Sequence, residues 1–552
     1  MPPSTASSAA RARGAVFTRP EVAEALLDLA GYTSDRPLAS WRLLEPAFGA
    51  GDLLLPAVTR LLAAFVAQGG GPGEARALRE AIVAVELDPR SFAATKAALR
   101  GRLLAWGATR AQADGLCAAW LRREDFLLAP IRGRFEVVLG NPPYVRQERI
   151  ADELLAVYRA RYATIYDRAD LYVPFFERGL ELLAEGGRLA YLCADRWHKN
   201  RYGGPLRALV AREFHLERVI GLHGADVFQR EVDAYPAITV IRRGHGQRTQ
   251  VARGLADARA LPGVVAAMTA GRDDPRIEVT DGVVRDDEPW LLHEAGLLRV
   301  IRRLEATLPT LTEAGCRVGI GVATGADRVF IGDLAALPVE PARKLPLVMA
   351  SDLRGASVVW AGRGVINPFA ADGSIVALGR WPRFAAHMQG HHALLAARHV
   401  ARRGGDAWLR TIDRIDPALV GAEKLLIPDI KGEAVVAHDP GRYYPHHNLY
   451  HVTASAWDLR ALATLLRSSL ALLFVATYGV KMAGGFLRFQ AQYLRRIRVP
   501  RWETLAPELR EALRRAPPDD RAAIDAAAFA ACGLDEREAA TVIAAAAAAR
   551  VQ

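Results

Sequence analysis

Short apolar runs alternate with longer helix-like stretches along this chain up to about residue 245. The runs have the length of buried strands, and the stretches between them place apolar residues at helical spacing. The runs cover residues 41–44, 82–85, 135–139, 188–193, 218–222 and 238–241. Strands separated by helices predict a doubly wound α/β sheet. The last two runs leave no room for a helix between them, which predicts an antiparallel hairpin at the edge of that sheet.

The alternation ends near residue 245, and the rest of the 552 residues has a different character. Gly and Asp clusters mark residues 246–290, which we interpret as a linker region. Short strand-like runs separated by glycine predict a mixed α+β domain at 291–500, and an Ala-rich helical tail follows at 501–552. Residues 1–13 are small and polar, so we expect a disordered leader before an α/β domain at 14–245.

Composition narrows the class of protein. With 51% hydrophobic and 24% charged residues the chain can bury sizeable cores, and no apolar stretch is long enough to span a bilayer. The four cysteines lie far apart without a CxxC pair, which argues against a disulfide framework and a cysteine-based zinc site. No secretory signal is visible. We therefore expect a monomeric cytoplasmic protein without a bound metal.

The segment Asn141-Pro142-Pro143-Tyr144 directly follows the apolar run at 135–140. Open α/β sheets bind their ligands at the carboxyl ends of the strands, which is where this segment is expected to lie. Two prolines cannot continue a strand ladder, and they fix a rigid extended turn. The Asn141 amide offers a carbonyl acceptor and Tyr144 a flat aromatic face. This combination suits an exocyclic amine on a planar ring.

Other strand ends carry residues that suit a ligand with hydroxyl groups. The loop at 45–51 contains two glycines, which let a ligand approach the backbone at a helix N-terminus. Glu86 ends the second strand, where an acid can accept from ribose hydroxyls. Asp125 and Phe126 precede the next apolar run. Each of these alone also fits a tight turn or a solvated charge, and their order on successive strands is what indicates a site.

This ordered set of motifs resembles the class I S-adenosylmethionine-dependent methyltransferases. It is most similar to the N6-adenine DNA methyltransferases of restriction–modification systems, of the TaqI-like kind, and the resemblance covers most of the chain. It implies a Rossmann-like methyltransferase sheet at 14–245 and a target-recognition, DNA-binding domain at 291–500. It also implies S-adenosyl-L-methionine as the cofactor and double-stranded DNA as the partner, and it is compatible with a separate restriction endonuclease.

The resemblance assigns cofactor contacts residue by residue. The segment at 18–21, Thr-Arg-Pro-Glu, is similar to the family's N-terminal motif, although Arg19 stands where the family has proline. The loop at 45–51 resembles the methionine-binding loop, and residues 170–177 resemble a later motif beside the cofactor. The implied cofactor residues are Thr18, Glu45, Pro46, Ala47, Gly49, Gly51, Glu86, Asp125, Phe126, Pro143 and Phe175.

The reaction that the resemblance implies is direct methyl transfer to the N6 amine of an adenine flipped out of the duplex. The Asn141 side-chain oxygen and the Pro142 backbone oxygen would accept from the amine. Tyr144 and Phe228 would hold the ring between them, although Phe228 also fits a core aromatic position. No cysteine follows a proline, which disfavours methylation of cytosine C5 because that reaction needs a Pro-Cys nucleophile.

Charge predicts a DNA-contacting surface late in the chain. The formal net charge is +11, and residues 440–500 hold eight basic residues and one acid, with tyrosines between them. A basic run is more often a solvated face, so the resemblance decides its interpretation. The implied DNA contacts are Lys431, Arg442, Lys481, Arg488, Arg495 and Arg496.

Other functions remain open at this stage. Methyltransferases that act on RNA bases or on protein glutamine amides use the same Asn-Pro-Pro-Tyr motif, since these substrates also present a planar amine. A release-factor substrate would leave the region after residue 290 without a purpose. A non-catalytic DNA-binding module would not need the series of acids, and a fused nuclease would need space upstream of the motif that begins by Gly14.

We expect a cytoplasmic protein associated with the nucleoid.

Overall fold

The structure, a computed structural model, describes residues 18–222, 236–255, 257–431, 435–479 and 487–551. The chain divides into two compact units, residues 1–295 and 296–552. The predicted leader at 1–13, Phe228 and Lys481 lie outside the described residues, and so does the side chain of Lys431.

The first unit combines one large sheet with helices between its strands. Its strands are β1 (Leu43–Glu45), β2 (Ile82–Val85), β3 (Leu121–Arg122), β4 (Phe135–Gly140), β5 (Leu183–Ala194), β6 (Phe214–Gly221), β7 (Pro236–Arg243), β8 (Arg248–Ala252) and β9 (Ile277–Asp281). Its helices are α1 (Pro20–Ala30), α2 (Leu54–Ala67), α3 (Pro89–Ala105), α4 (Arg110–Trp120), α5 (Asp152–Arg161), α6 (Tyr172–Glu181), α7 (Gly204–Glu213) and α8 (Leu261–Ala270).

The sheet has nine strands in the order β3-β2-β1-β4-β5-β7-β6-β8-β9. From β3 to β5 all neighbours are parallel, whereas β7 is antiparallel to both β5 and β6. Parallel neighbours need crossover connections, and helices provide them between β1, β2 and β3. The prediction of a doubly wound α/β sheet is therefore confirmed.

Two predictions about the far side of this sheet are wrong. The strands β6 and β7 do pair antiparallel, but β8 and β9 continue the sheet beyond β6, so the pair is internal. Residues 246–290 are accordingly not a linker, because they supply β8, α8 and β9. The sequence pattern misses these strands because neither has a continuous apolar run of strand length: β8 begins with three polar residues, and β9 alternates apolar and polar ones.

Local sequence signals fix the helices that flank the predicted site. Helix α1 starts with Pro20 in its first turn and ends at Gly31, whose φ of +76° gives a left-handed C-cap. Helix α3 follows β2, and the Asp88 side chain caps it by accepting from the Ser91 backbone N–H at 2.9 Å. These caps set where the chain leaves the sheet and re-enters a helix.

The second unit is mixed α and β. Its strands are β10 (Cys316–Ile320), β11 (Ile331–Asp333), β12 (Lys344–Val348), β13 (Leu353–Arg354), β14 (Ser357–Val358), β15 (Arg363–Ile366), β16 (Lys424–Pro428), β17 (Ile430–Lys431), β18 (Ala437–Asp439), β19 (Tyr444–Pro445), β20 (Leu449–Ala454) and β21 (Leu487–Arg488). Its helices are α9 (Ala295–Thr307), α10 (Asp327–Phe330), α11 (Pro382–Gly390), α12 (His392–Ala396), α13 (Ala418–Gly421), α14 (Leu459–Arg467), α15 (Ser469–Tyr478), α16 (Ala491–Leu494), α17 (Pro507–Arg515), α18 (Arg521–Ala531) and α19 (Glu536–Val551).

Two four-stranded sheets organise this unit, β10-β20-β16-β18 and β11-β15-β12-β19. The first contains a fully buried ion pair in which Lys424 Nζ lies 2.9 Å from Asp439 Oδ2. Burial lowers the pKa of Lys424, while Asp439 raises it. The mixed α+β architecture agrees with the fold class predicted for this part of the chain.

No single helix among the described residues is long and apolar enough to cross a bilayer. Two bent pairs meet the length and composition criteria only when their two helices are joined.

Candidate active site

The predicted site residues lie at the carboxyl ends of four adjacent parallel strands. Glu45 ends β1, Glu86 directly follows β2, Asp125 follows β3, and Asn141 directly follows β4. Because the order of these strands is β3-β2-β1-β4, the three acids and the amide lie along one edge of the sheet. This is the edge where open α/β sheets bind their ligands.

A glycine loop follows β1 and is held by groups from β2 and α3. The Gly49 backbone N–H donates to Glu86 Oε2 at 2.8 Å, and the Thr95 hydroxyl donates to the Gly49 carbonyl at 2.8 Å. Gly49 and Gly51 have positive φ angles of 48° and 85°. A Cβ atom on Gly51 would lie 2.9 Å from the Thr95 side chain, whereas one on Gly49 would meet no atom within 4 Å. Gly49 therefore borders open space that a ligand can enter.

Three carboxyl groups gather around this loop. Glu45 is 1% exposed, and burial raises its pKa well above the ordinary 4.5, with further increases from the charges of Asp52 and Glu86. Burial also raises the pKa of Asp52, although the hydrogen bond from the Thr18 backbone lowers it. Among the described residues, Glu45 Oε2 has no hydrogen-bond partner. A buried acid without a partner, beside two more acids, suits a positively charged ligand.

Asp125 and Phe126 form the next part of the edge. Asp125 accepts from the Leu127 backbone N–H at 2.9 Å and from the Tyr158 hydroxyl. The Phe126 ring lies 5.0 Å from the Phe175 ring, centroid to centroid. The Arg178 guanidinium lies over Phe126 at 4.9 Å and donates to its backbone oxygen. Asp125 thus lies next to the aromatic pair of Phe126 and Phe175. This arrangement suits a planar heterocycle that carries an amino group, because the acid can accept from the amine and the rings can pack against the heterocycle.

The Asn141 amide is linked to the start of the described chain. Its Nδ2 donates to the Thr18 hydroxyl at 3.2 Å, and the Thr18 backbone N–H donates to Asp52 Oδ2 at 3.0 Å. Pro142 is buried and Pro143 half-buried, so the turn is fixed against the sheet. The predicted amide and the predicted cofactor residue Thr18 are therefore in direct contact.

Tyr144 is half-buried and packs against the main hydrophobic core of the first unit. Its hydroxyl is buried beside the Cys193 thiol near the end of β5, and its ring lies 6.2 Å from the Tyr172 ring. Burial raises the pKa of Tyr144 well above 10.0, so the hydroxyl stays protonated at neutral pH. Pro46 is buried next to Gly140, and Ala47 is half-buried. Phe228, the second predicted stacking ring, lies outside the described residues.

The predicted DNA-contacting residues of the second unit differ in how far their side chains are engaged. The Arg442 side chain is exposed, and within the described part of the chain only its backbone N–H is bonded, to Asp439 at 2.8 Å. Arg488 pairs with Asp429, Arg495 donates to the Val318 carbonyl at 2.8 Å, and Arg496 lies 4.5 Å over the Tyr478 ring. Part of the basic run at 440–500 is structural, since the buried Arg467 donates to the Val436 carbonyl.

One group among the described residues has the composition of a metal site. The ligand atoms of Asp327, His446 and His447 lie within 4.8 Å of one another. The Asp327 carboxylate already binds the Thr324 hydroxyl, and its Oδ2 lies 3.3 Å from His446 Nε2. The Asp327 and His446 atoms therefore serve hydrogen bonds within the protein.

Several site residues escaped the sequence prediction. Asp52 follows the glycine loop directly, and an acid between that loop and a helix start was a usable signal. Tyr158 and Arg178 reach the Asp125–Phe126 segment from 33 and 52 residues away. Cys193 ends an apolar run and looks like a core residue. No local pattern marks these three residues, because their role depends on contacts between distant segments.

Comparison with known proteins places the chain in a family. Residues 106–228 match the family described as Eco57I restriction-modification methylase. The chain is 52% identical to the type II methyltransferase M.XhoI of Xanthomonas vasicola, over 95% of this chain and 98% of the relative. It is 51% identical to the type II methyltransferase M.PaeR7I of Pseudomonas aeruginosa, over 96% of this chain and 93% of the relative.

A solved structure supports the fold. The type IIL restriction-modification enzyme MmeI, determined in complex with DNA, matches with a TM-score of 0.58 and 11% identity, over 96% of this chain and 77% of the other. At that identity the likeness concerns the fold alone. S-adenosylmethionine is the methyl donor, and the orphan carboxyl oxygen of Glu45 and the open space at Gly49 fit this positively charged cofactor. The chain belongs to the family of type II DNA methyltransferases of restriction–modification systems.

Proposed function

We propose that this protein transfers a methyl group from S-adenosylmethionine to the N6 amino group of adenine at a specific site in duplex DNA, after the base has turned out of the helix. The position of Asn141 and Pro142 at the end of β4 carries the proposal. Two oxygen acceptors for an amine lie there, on the same sheet edge as Glu45, Glu86 and Asp125.

The cofactor would lie along the acidic edge. When bound, it supplies an electrophilic methyl group on a positively charged sulfur. Glu45 and the glycine loop would hold the charged amino-acid end, and Glu86 would accept from the ribose hydroxyls. Glu86 already binds two backbone N–H groups, but each carboxylate oxygen can accept a second hydrogen bond. The remaining residues proposed to hold the cofactor are Thr18, Pro46, Ala47, Gly49, Gly51, Asp125, Phe126, Pro143 and Phe175.

The amine would be held by oxygen acceptors. Asn141 Oδ1 and the Pro142 carbonyl would each accept one N–H of the amino group, which keeps the nitrogen lone pair available as positive charge develops. Alignment of that lone pair with the methyl group supplies much of the remaining acceleration. The amine of a paired adenine is stacked inside the duplex, so the base must first leave the helix. Tyr144 would stack on the extruded ring, with Phe228 as the second ring.

The second unit would bind the DNA that flanks the target. Exposed arginines such as Arg442 can contact phosphates, which sets affinity rather than sequence preference. Lys431, Lys481, Arg488, Arg495 and Arg496 remain in the proposed contact set. We also propose that the protein acts as a monomer on the nucleoid in the cytoplasm, and that a separate endonuclease completes the system.

The substrate class can be tested directly. Radiolabelled S-adenosylmethionine is incubated with unmethylated duplex DNA, with RNA of the same sequence and with total protein, in parallel for the wild type and Asn141→Ala. We expect label in duplex DNA for the wild type and none for the variant. Label in RNA or protein but not in DNA would overturn the proposal in favour of another amine substrate.

A further inference from the structure

Thr18 lies between the cofactor edge and the Asn141 amide. It is 3% exposed, so its polar atoms depend on protein partners. Its backbone N–H donates to Asp52 Oδ2 at 3.0 Å, which anchors the residue beside the glycine loop. Its hydroxyl oxygen lies 3.2 Å from Asn141 Nδ2 and accepts from it. The first contact spans 34 residues of sequence and the second spans 123.

An asparagine side chain has two chemically different ends of almost the same size. Rotation by 180° exchanges the NH₂ group, which only donates, with the oxygen, which only accepts. Methyl transfer to an amine needs the oxygen, because two facing NH₂ groups cannot form a hydrogen bond. The steric environment distinguishes the two rotamers poorly, so hydrogen bonds decide between them. The Thr18 hydroxyl can accept from Nδ2 or donate to Oδ1, and in this structure it accepts from Nδ2, which turns Oδ1 away from Thr18.

We infer that Thr18 is a positioning residue, which holds the Nδ2 end of Asn141 and thereby presents Oδ1 to the target amine. The inference rests on the proposed function of Asn141. The amide group is planar, so fixing Nδ2 on the Thr18 hydroxyl fixes the direction of Oδ1 as well. Thr18 is also proposed to contact the cofactor, and one anchored residue would then align both reactants.

The inference predicts a specific energetic coupling between Thr18 and Asn141. Thr18→Val keeps the shape of the side chain and removes the hydroxyl, whereas Thr18→Ser keeps the hydroxyl. Single-turnover rates are measured at saturating cofactor on a synthetic duplex, whose site has been located by sequencing DNA from cells that express the protein. We expect Thr18→Val to lower the rate about tenfold, as one lost hydrogen bond allows, and Thr18→Ser to restore it.

Measuring Thr18→Val in the Asn141→Asp protein distinguishes orientation of the residue 141 side chain from other roles of Thr18. A carboxylate has two acceptor oxygens, so either rotamer presents an acceptor and no selection is needed. Thr18→Val should therefore change the rate less than about twofold in this background. An equal loss in both backgrounds would overturn the inference, since it would place the effect of Thr18 in cofactor binding or folding. Cofactor affinity and melting temperature are measured for each variant.

A binding measurement gives a second readout that does not depend on turnover. Affinities are compared for duplexes that carry either adenine or unsubstituted purine, which lacks the amino group, at the target position. The free energy of extruding the target base from a given duplex is the same for all protein variants. It therefore cancels when the adenine-over-purine preference of one variant is compared with that of another. The preference for adenine should fall about tenfold in Thr18→Val and persist in Thr18→Ser. An unchanged preference in Thr18→Val contradicts the inference, while a wild type that methylates no adenine contradicts the proposed function instead.

Discussion

Glu86 holds the glycine loop in place: its Oε2 accepts from the Gly49 backbone N–H at 2.8 Å, while its Oε1 accepts from Asp88 at 2.7 Å. One acid on the end of β2 therefore shapes the loop that follows β1. The same carboxylate is proposed to accept from the cofactor's ribose, so it links loop geometry to cofactor affinity.

Glu86→Ala should weaken cofactor binding strongly. The substitution removes both the loop contact and the proposed ribose contact, and hydrogen bonds to a charged group correspond to roughly 10- to 100-fold in affinity. Binding is measured by equilibrium dialysis with S-adenosylmethionine. The matched control is Glu80→Ala, an exposed acid before β2, which should bind as the wild type does. Equal affinities for Glu86→Ala and the control would argue against the proposed role.

The contact between Glu86 and Gly49 shows what the sequence could and could not predict. The order of the strand ends was predictable, because Glu45 and Glu86 each follow an apolar run, Asp125 precedes the next run and Asn141 follows that run. The contact itself spans 37 residues, and its geometry follows from the left-handed turn at Gly49, which no local pattern specifies. Strand β3 escaped prediction because it has two residues, and β8 and β9 escaped because neither contains an apolar run of strand length.

Tyr144 should act through its ring and not through its hydroxyl. The hydroxyl is buried next to Cys193 inside the protein, and burial keeps it protonated by raising its pKa. Tyr144→Phe should therefore stay within about fivefold of the wild-type single-turnover rate. Tyr144→Ala should lose about 10- to 100-fold, because it removes a stacking face for the extruded base. If Phe is as inactive as Ala, the hydroxyl takes part in the chemistry and stacking is not the main role.

Glu45 should make the stability of the ligand-free protein depend on pH. Burial raises its pKa above 4.5 in the folded state, and Asp52 and Glu86 raise it further. The folded state then favours the protonated form of Glu45. The contribution of Glu45 to stability is complete below the pKa that it has in the unfolded chain, and it is lost as the pH rises through the pKa that it has in the folded protein. Melting temperatures are compared for the wild type and Glu45→Gln from about pH 5 to about pH 8.

The wild type should lose melting temperature relative to Glu45→Gln as the pH rises over that range. Addition of S-adenosylmethionine at neutral pH should raise the melting temperature of the wild type more than that of the variant, since only a carboxylate offsets the positive charge of the ligand. Parallel pH curves, or equal stabilisation by the ligand, would contradict the assignment of Glu45.

Arg442 should contribute to DNA affinity through a phosphate contact. Its side chain is exposed, and within the described residues its hydrogen bond to Asp439 comes from the backbone N–H and not from the guanidinium. Arg442→Ala should weaken binding to all sequences alike and reduce the slope of log affinity against log salt by about one. Arg537→Ala removes the same charge from an exposed position on α19 and serves as the control. Identical slopes for both variants would remove Arg442 from the contact set.

Nucleoside analysis tests the central claim most directly. Unmethylated duplex DNA is treated with the protein and S-adenosylmethionine, digested to nucleosides and analysed by mass spectrometry against methylated standards. We predict N6-methyl-2′-deoxyadenosine as the product of the wild type. Asn141→Ala should yield none of it, although that variant still binds the cofactor. A methylated cytosine as the product, or unmodified DNA with an active wild-type protein, would contradict the account.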